Sequence, residues 1–196
     1  MNTGPVLNYR SADVAEPSLW QLHVWLVDSD PPIWRRFTLS NQATLAELHQ
    51  VLQIVMGWRN SHLHGFEIQG DRYGPPGPQP LPDTRDTTQY RLADLPLVSG
   101  AQFIYTYDFG DGWRHQLTVE AMSPAAAAVP TCLDGARACP PEDCGGMWGY
   151  EDLLERIDDP GDPDYYDLID WIGGDFDPEA FRLPPINQQL QALGEA

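Results

Sequence analysis

The sequence contains no lysine: all eleven basic residues are arginines, set against 29 acidic ones, for a formal net charge of −18. The excess is uneven. From Glu120 to Ala196 there are 17 acidic residues and three arginines, a net of −14. Nucleic-acid binding rests on cations that displace counterions from phosphates, and an anionic membrane repels the same surface. Neither nucleic acid nor membrane is therefore expected as a partner, and a basic protein is the better electrostatic match. Cysteine is scarce, with three residues that cannot all pair internally, which excludes a disulfide scaffold. No run approaches the roughly 18–20 apolar residues that span a bilayer. Residues 1–17 lack the basic start and apolar run of a secretory signal, so a cytoplasmic protein with reduced thiols is expected. Also missing are a phosphate-cradling glycine loop, a G-x-S-x-G elbow, a dinucleotide fingerprint and a paired zinc knuckle.

Large aromatic side chains are plentiful, with seven Trp, eight Tyr and six Phe, enough apolar area for a core in one domain of 196 residues. Residues 1–17 read as a flexible tail and 18–196 as a single domain with a proline-rich loop over 69–89. Trp20, Leu22, Val24 and Leu26 alternate with polar or outward residues, the period of a half-buried strand. Asp28 to Pro32 is turn material, and a second strand follows with Ile33, Phe37 and Leu39 on one side and Trp34 and Thr38 on the other. Thr44 and Glu47 form a capping box for a helix with Leu45, Leu48, Leu52 and Val55 on one stripe, ended by Gly57. His62 to Ile68 reads as a short strand. Residues 69–100, with Pro75, Pro76, Pro78, Pro80 and Pro82, read as a long surface loop that ends in a turn of helix around Leu92 and Leu95.

Phe103, Tyr105, Tyr107 and Phe109 alternate, as do Trp113, His115, Leu117 and Val119. A three-residue loop, Gly110-Asp111-Gly112, would pair Phe109 with Trp113 and Tyr107 with His115, with every apolar residue on one side. In that register Asp108 faces away from His115 and falls opposite Arg114, an ordinary cross-strand ion pair. Beyond the alanine run at 125–128, helices are expected around Tyr150 to Ile157, after Asp162-Pro163, and around Ile186 to Leu193. The order predicts an α+β fold, a mainly antiparallel sheet with a β-grasp-like ββαβ start and C-terminal helices packed on it.

Several segments resemble one family in order and spacing. They are Pro32-Ile33-Trp34-Arg35-Arg36, Thr44 to His49, Met56-Gly57-Trp58 leading to His62-Leu63-His64-Gly65-Phe66, Tyr105 to His115, Cys139 to Gly146, Gly149-Tyr150-Glu151 and Phe176-Asp177-Pro178. Together they are similar to the plasmid pRiA4b Orf-3-like family across about residues 18–190. The resemblance implies a link to plasmids and transposable elements but no established activity. A resolvase label carried by some members needs a nucleophilic serine and a basic DNA-binding region, and the acidic C-terminal part does not supply the latter.

Candidate chemistry is sparse. Cys132, Cys139 and Cys144 are separated by six and four residues; zinc there would need a fourth ligand, His64 or another histidine, and three small thiols packed on the sheet are the expectation. No other cofactor is expected. In an extended chain His62 and His64 project from one side, though no carboxylate partner can be placed beside them. Asp108, Asp111 and His115 invite a general-base reading that the register opposes. Glu142-Asp143, between prolines and glycines, suit a cation or the start of a helix. Arg35 and Arg36 are expected to pair with acidic residues of the C-terminal helices. These histidines and carboxylates, with Trp34, Arg36 and Trp113 of the aromatic-rich sheet, are the candidate binding residues. A non-enzymatic binding or accessory protein that engages a protein partner is the first reading, and a metal-binding protein or metal-dependent hydrolase the second. The sequence fixes no oligomeric state.

Overall fold

The computed structural model describes residues 16–77, 83–125, 128–174 and 176–194. Most of the expected N-terminal tail, the prolines at 78, 80 and 82, and the middle of the alanine run lie outside the described residues. Eight strands form one sheet: β1 (Ser18–Leu26), β2 (Trp34–Ser40), β3 (His64–Ile68), β4 (Asp71–Gly74), β5 (Arg85–Asp86), β6 (Gln102–Tyr107), β7 (Trp113–Pro124) and β8 (Thr131–Ala136). Their order is β5-β4-β3-β6-β7-β1-β2-β8. Every described pairing is antiparallel except β4–β5. The helices are α1 (Leu45–Met56), α2 (Gly146–Ile157), α3 (Tyr165–Trp171) and α4 (Leu183–Gly194). The fold is α+β with a ββαβ start, as the alternation predicts; β3 joins the sheet beside β6.

Period-two alternation sends Trp20, Leu22, Val24, Leu26, Phe37 and Leu39 to one buried face, where α1 covers them with Leu45, Leu48, Leu52 and Val55. The opposite face carries His23, Trp25, Trp34 and Arg36, all half-buried. Thr44 and Glu47 close the capping box in both directions, and Gly57 ends α1 in the left-handed conformation at φ 99°. Helix α4 covers the outer side, against β8 and α1, with Leu190 fully buried.

Three sequence readings need correction. The β6–β7 hairpin pairs Tyr107 with Trp113, Tyr105 with His115 and Phe103 with Leu117, two residues out of the expected register. Asp108 leaves the strand at φ 52°, its carboxylate accepts a bond from Gly110 N at 2.8 Å, and Gly112 N returns to Asp108 O at 2.7 Å. This local side-chain turn makes a five-residue loop and swings Phe109 out to solvent. Arg114 consequently faces Thr106, not Asp108. Second, residues 69–100 are not one loop: they carry β4, β5 and a 3-10 turn, Thr87–Gln89, ahead of the expected helical turn, which forms at Leu92–Asp94 with Leu92 fully buried. Third, neither arginine meets a C-terminal helix carboxylate. Arg36 pairs with Glu120 of β7 at 2.7 Å. Arg35 is buried on the core side, and its guanidinium donates to four carbonyls, of Val55, Trp34, Ala136 and Arg137, each at 2.7 Å. Val55 O is one of the orphan carbonyls at the end of α1, so Arg35 caps that helix and ties it to β8. Gly135 is required opposite, because a Cβ there would stand 2.7 Å from both Arg35 Cδ and the Phe181 ring.

Candidate metal centre

Three loops meet at one end of the sheet: the α1–β3 connection with His62, the hairpin loop with Asp108, and the segment before α2 with Glu142 and Asp143. Main-chain bonds bring them together. Asp108 N donates to Leu63 O at 2.9 Å, and Arg59 N donates to Glu142 Oε1 at 2.6 Å. The Tyr107 hydroxyl accepts from Ser61 N at 2.8 Å and donates to both Glu142 oxygens at 3.1 Å. Burial, first among its causes, raises this hydroxyl to about 12, so it stays a donor at neutral pH. Asp111, in the expected hairpin loop, fastens that loop to the α2 segment: its Oδ2 accepts from Gly145 N at 3.0 Å. Gly146 is held at φ 72°, and a Cβ there would lie 2.6 Å from Asp111 O.

The result is an imidazole ringed by carboxylates. His62 Nδ1 stands 3.6 Å from Asp108 Oδ2, while Nε2 stands 3.5 Å from Glu142 Oε2 and 3.1 Å from Asp143 Oδ1. The Asp143 approach is a near contact and not a hydrogen bond, since Nε2 is shielded from solvent and has no partner of acceptable geometry. The Asp108 and Glu142 side chains are only 12% and 11% exposed, against 28% for His62 and 67% for Asp143. Ligand atoms of His62, Asp108 and Asp143 all lie within 4.8 Å of one another, and among the described residues this is the convergent set of three. Donors around a tetrahedral first-row ion stand about 3.3 Å apart, so closure by up to about 1.5 Å suffices. The ring turns Nδ1 toward Asp108 and Nε2 toward Glu142 and Asp143. Three carboxylates converging on one imidazole form a place that favours a metal cation.

The other candidates lie elsewhere. His64 stands outside the convergent set: it begins β3, and its ring stacks on His49 at 3.5 Å. Burial, then the neighbouring His49, lowers it to about 3. His115 is fully buried; Trp58 Nε1 donates to its Nε2 at 3.2 Å and its Nδ1 meets Trp113 O at 3.0 Å, which fixes a neutral tautomer. Burial lowers it to about 4. Among the described residues no carboxylate pairs with His115, so the general-base trio does not form. Trp113 is buried core, and Trp34 lies outward under Arg36 at 5.4 Å. The three cysteines are unpaired. Burial raises all three thiols, Cys144 to about 12, so they stay protonated at neutral pH, and none joins the convergent set. The sequence offered Asp108, Glu142 and Asp143 separately; what it hid was their meeting at His62 and the role of Tyr107.

The sequence profile of the family described as "Plasmid pRiA4b ORF-3-like protein" matches residues 18–184. The chain belongs to that family. It is 35% identical over 179 residues to the uncharacterized protein y4hQ of Sinorhizobium fredii, covering 90% of this chain and 92% of the relative. The crystal structure of a protein of unknown function, MM3350 from Methanosarcina mazei, superposes with a TM-score of 0.77 at 34% identity, over 86% of this chain and 97% of that one. Both relatives are without a described activity. All four residues of the centre fall inside the matched span. Among the described residues no helix is long and apolar enough to cross a membrane.

Proposed function

We propose that the protein works by binding, and that its working centre is a divalent first-row transition ion held by His62, Asp108 and Asp143, with Glu142 as a fourth oxygen donor or as the group that orients the imidazole. The observation that carries the reading is the convergence of one imidazole and three carboxylates from three separate loops, with no arginine among them. The mixture of one nitrogen with several oxygens suits Mn²⁺, Fe²⁺ or Zn²⁺ better than thiolate-seeking ions. Glu142 is already oriented by Tyr107 and by Arg59 N, the kind of outer support that metal ligands need. The plasmid in the family's description supports an accessory role linked to mobile elements. Three unpaired thiols suit a reducing cytoplasm.

The test is thermal unfolding of chelator-stripped protein with and without Mn²⁺ or Zn²⁺. At a free concentration of about 100 Kd, a site present only in the folded state stabilises by about 2.7 kcal/mol, a rise of roughly 5–10 °C for a chain of this size. Asp143→Asn and Asp108→Asn remove charge while keeping a residue that tolerates the left-handed backbone at φ 60° and 52°. Both variants should keep the metal-free melting point and lose the rise. An identical rise in wild type and both variants would place the ion elsewhere and end the reading.

A further inference from the structure

A separate surface lies over the C-terminal helices, away from the residues of the cation centre. Between Glu151 and Glu179 the sequence has twelve acidic residues and a single arginine, Arg156. That arginine is consumed by its own neighbours: it pairs with Asp162 at 3.1 Å, with Asp152 at 3.7 Å, and with Asp164. Helix α3 has no buried residue at all. Large aromatic side chains nonetheless stand in water here, Trp148 at 87% and Tyr166 at 80% exposure, with Trp171 half exposed. Between α2 and α3 runs an open groove of about 470 Å³ with an apolar floor of Leu154, Ile157, Tyr165, Ile169 and Phe176; Glu155 and Asp158 stand at its rim.

An apolar groove with two carboxylates at its rim, in a strongly acidic stretch of chain, selects its occupant by charge. Phosphate backbones and acidic lipids are repelled, and a purely apolar ligand gains nothing from the carboxylates. What fits both features is a segment with apolar side chains on one side and arginine or lysine on the other, laid in the groove as an amphipathic helix. We propose that the α2–α3 groove docks a basic amphipathic segment of a partner protein, its apolar side chains against Tyr165 and Ile169 and its cations against Glu155 and Asp158. The carboxylates steer the encounter and the apolar floor supplies the anchoring area, so affinity falls as salt rises.

The experiment is fluorescence anisotropy on the full chain in chelator, which keeps the result independent of the cation centre. The probe is a labelled peptide of about 18 residues, arginine and leucine at helical spacing, compared with a scramble of equal composition. The patterned peptide should bind at least about tenfold tighter than the scramble. Ile169→Ser should weaken it by about tenfold and leave the scramble unchanged, with circular dichroism checking the fold. Glu155→Arg with Asp158→Arg changes only exposed rim residues, and it should weaken binding and flatten its dependence between about 100 and 300 mM salt. Patterned and scrambled peptides that bind within about twofold of each other would overturn the groove. Charge reversal that leaves the affinity unchanged would overturn the electrostatic selection, and with it the proposal.

Discussion

Replacing Tyr105 with Phe removes one oxygen atom from the core and breaks a closed ring of hydrogen bonds. Gln53 Nε2 donates to the Tyr105 hydroxyl at 2.9 Å, and that hydroxyl lies 2.8 Å from His49 Nδ1. His49 Nε2 lies 2.9 Å from Asn60 Oδ1, and Asn60 N donates to Gln53 Oε1 at 2.7 Å. Because Asn60 Oδ1 can only accept, His49 carries its proton on Nε2, and the tyrosine must donate to Nδ1. Every member thus has one direction open to it, and burial, which lowers the His49 pKa, keeps the ring neutral. The variant leaves an imidazole nitrogen and an amide N–H buried without partners, at about 1–2 kcal/mol each, so a loss of roughly 2–4 kcal/mol is expected. Urea unfolding followed by tryptophan fluorescence should show a lower midpoint at unchanged slope. Nitrogen NMR of the wild type should show His49 as the Nε2–H tautomer. A loss below about 0.5 kcal/mol, or the opposite tautomer, would refute the assignment of the ring.

Two further outcomes follow from buried charge. His115 and His64 are lowered to about 4 and about 3. Between those values and the ordinary histidine pKa near 6.5, the unfolded chain binds protons that the folded chain refuses, so stability falls with falling pH. The fall begins below about pH 6.5 and amounts to roughly 2 kcal/mol per histidine between pH 7 and pH 5, as denaturant midpoints across that range should show; a flat profile would contradict buried neutral imidazoles. The two adjacent arginines should behave oppositely. Arg35→Met leaves four carbonyls without their donor and should cost about 3–5 kcal/mol, whereas Arg36→Ala breaks a partly exposed pair and should cost no more than about 1 kcal/mol. Equal losses would show that the carbonyl bonds of Arg35 contribute nothing special.

Where local chemistry and global burial agreed, the sequence was legible. Strands β1 and β2 alternate cleanly because one face is core and the other is open, and α1 carries its capping box and terminal glycine in plain view. The β6–β7 faces were legible for the same reason, since a slip of two residues keeps every paired side chain on its side, Phe109 in the loop excepted. The register was not, because aromatic alternation through Phe109 pointed one way while the Asp108 side chain closed a local turn that widens the loop to five residues. Strand β8 was missed: Thr131 to Ala136 has no alternation, pairs along one edge of β2 and shifts register between Arg36 and Phe37. The centre shows the same limit. Asp108, Glu142 and Asp143 lie 34 or more positions apart in pairs that cross loops, and only tertiary bonds from Tyr107, Asp111 and Arg59 N bring them to one imidazole.

The central claim is a place, so the most direct measurement is an anomalous-difference map from crystals soaked in Mn²⁺ or Zn²⁺. The account predicts one strong peak about 2.0–2.3 Å from a His62 ring nitrogen and from carboxylate oxygens of Asp108 and Asp143. A peak at the cysteines, or none beside His62 at saturating ion, would contradict it.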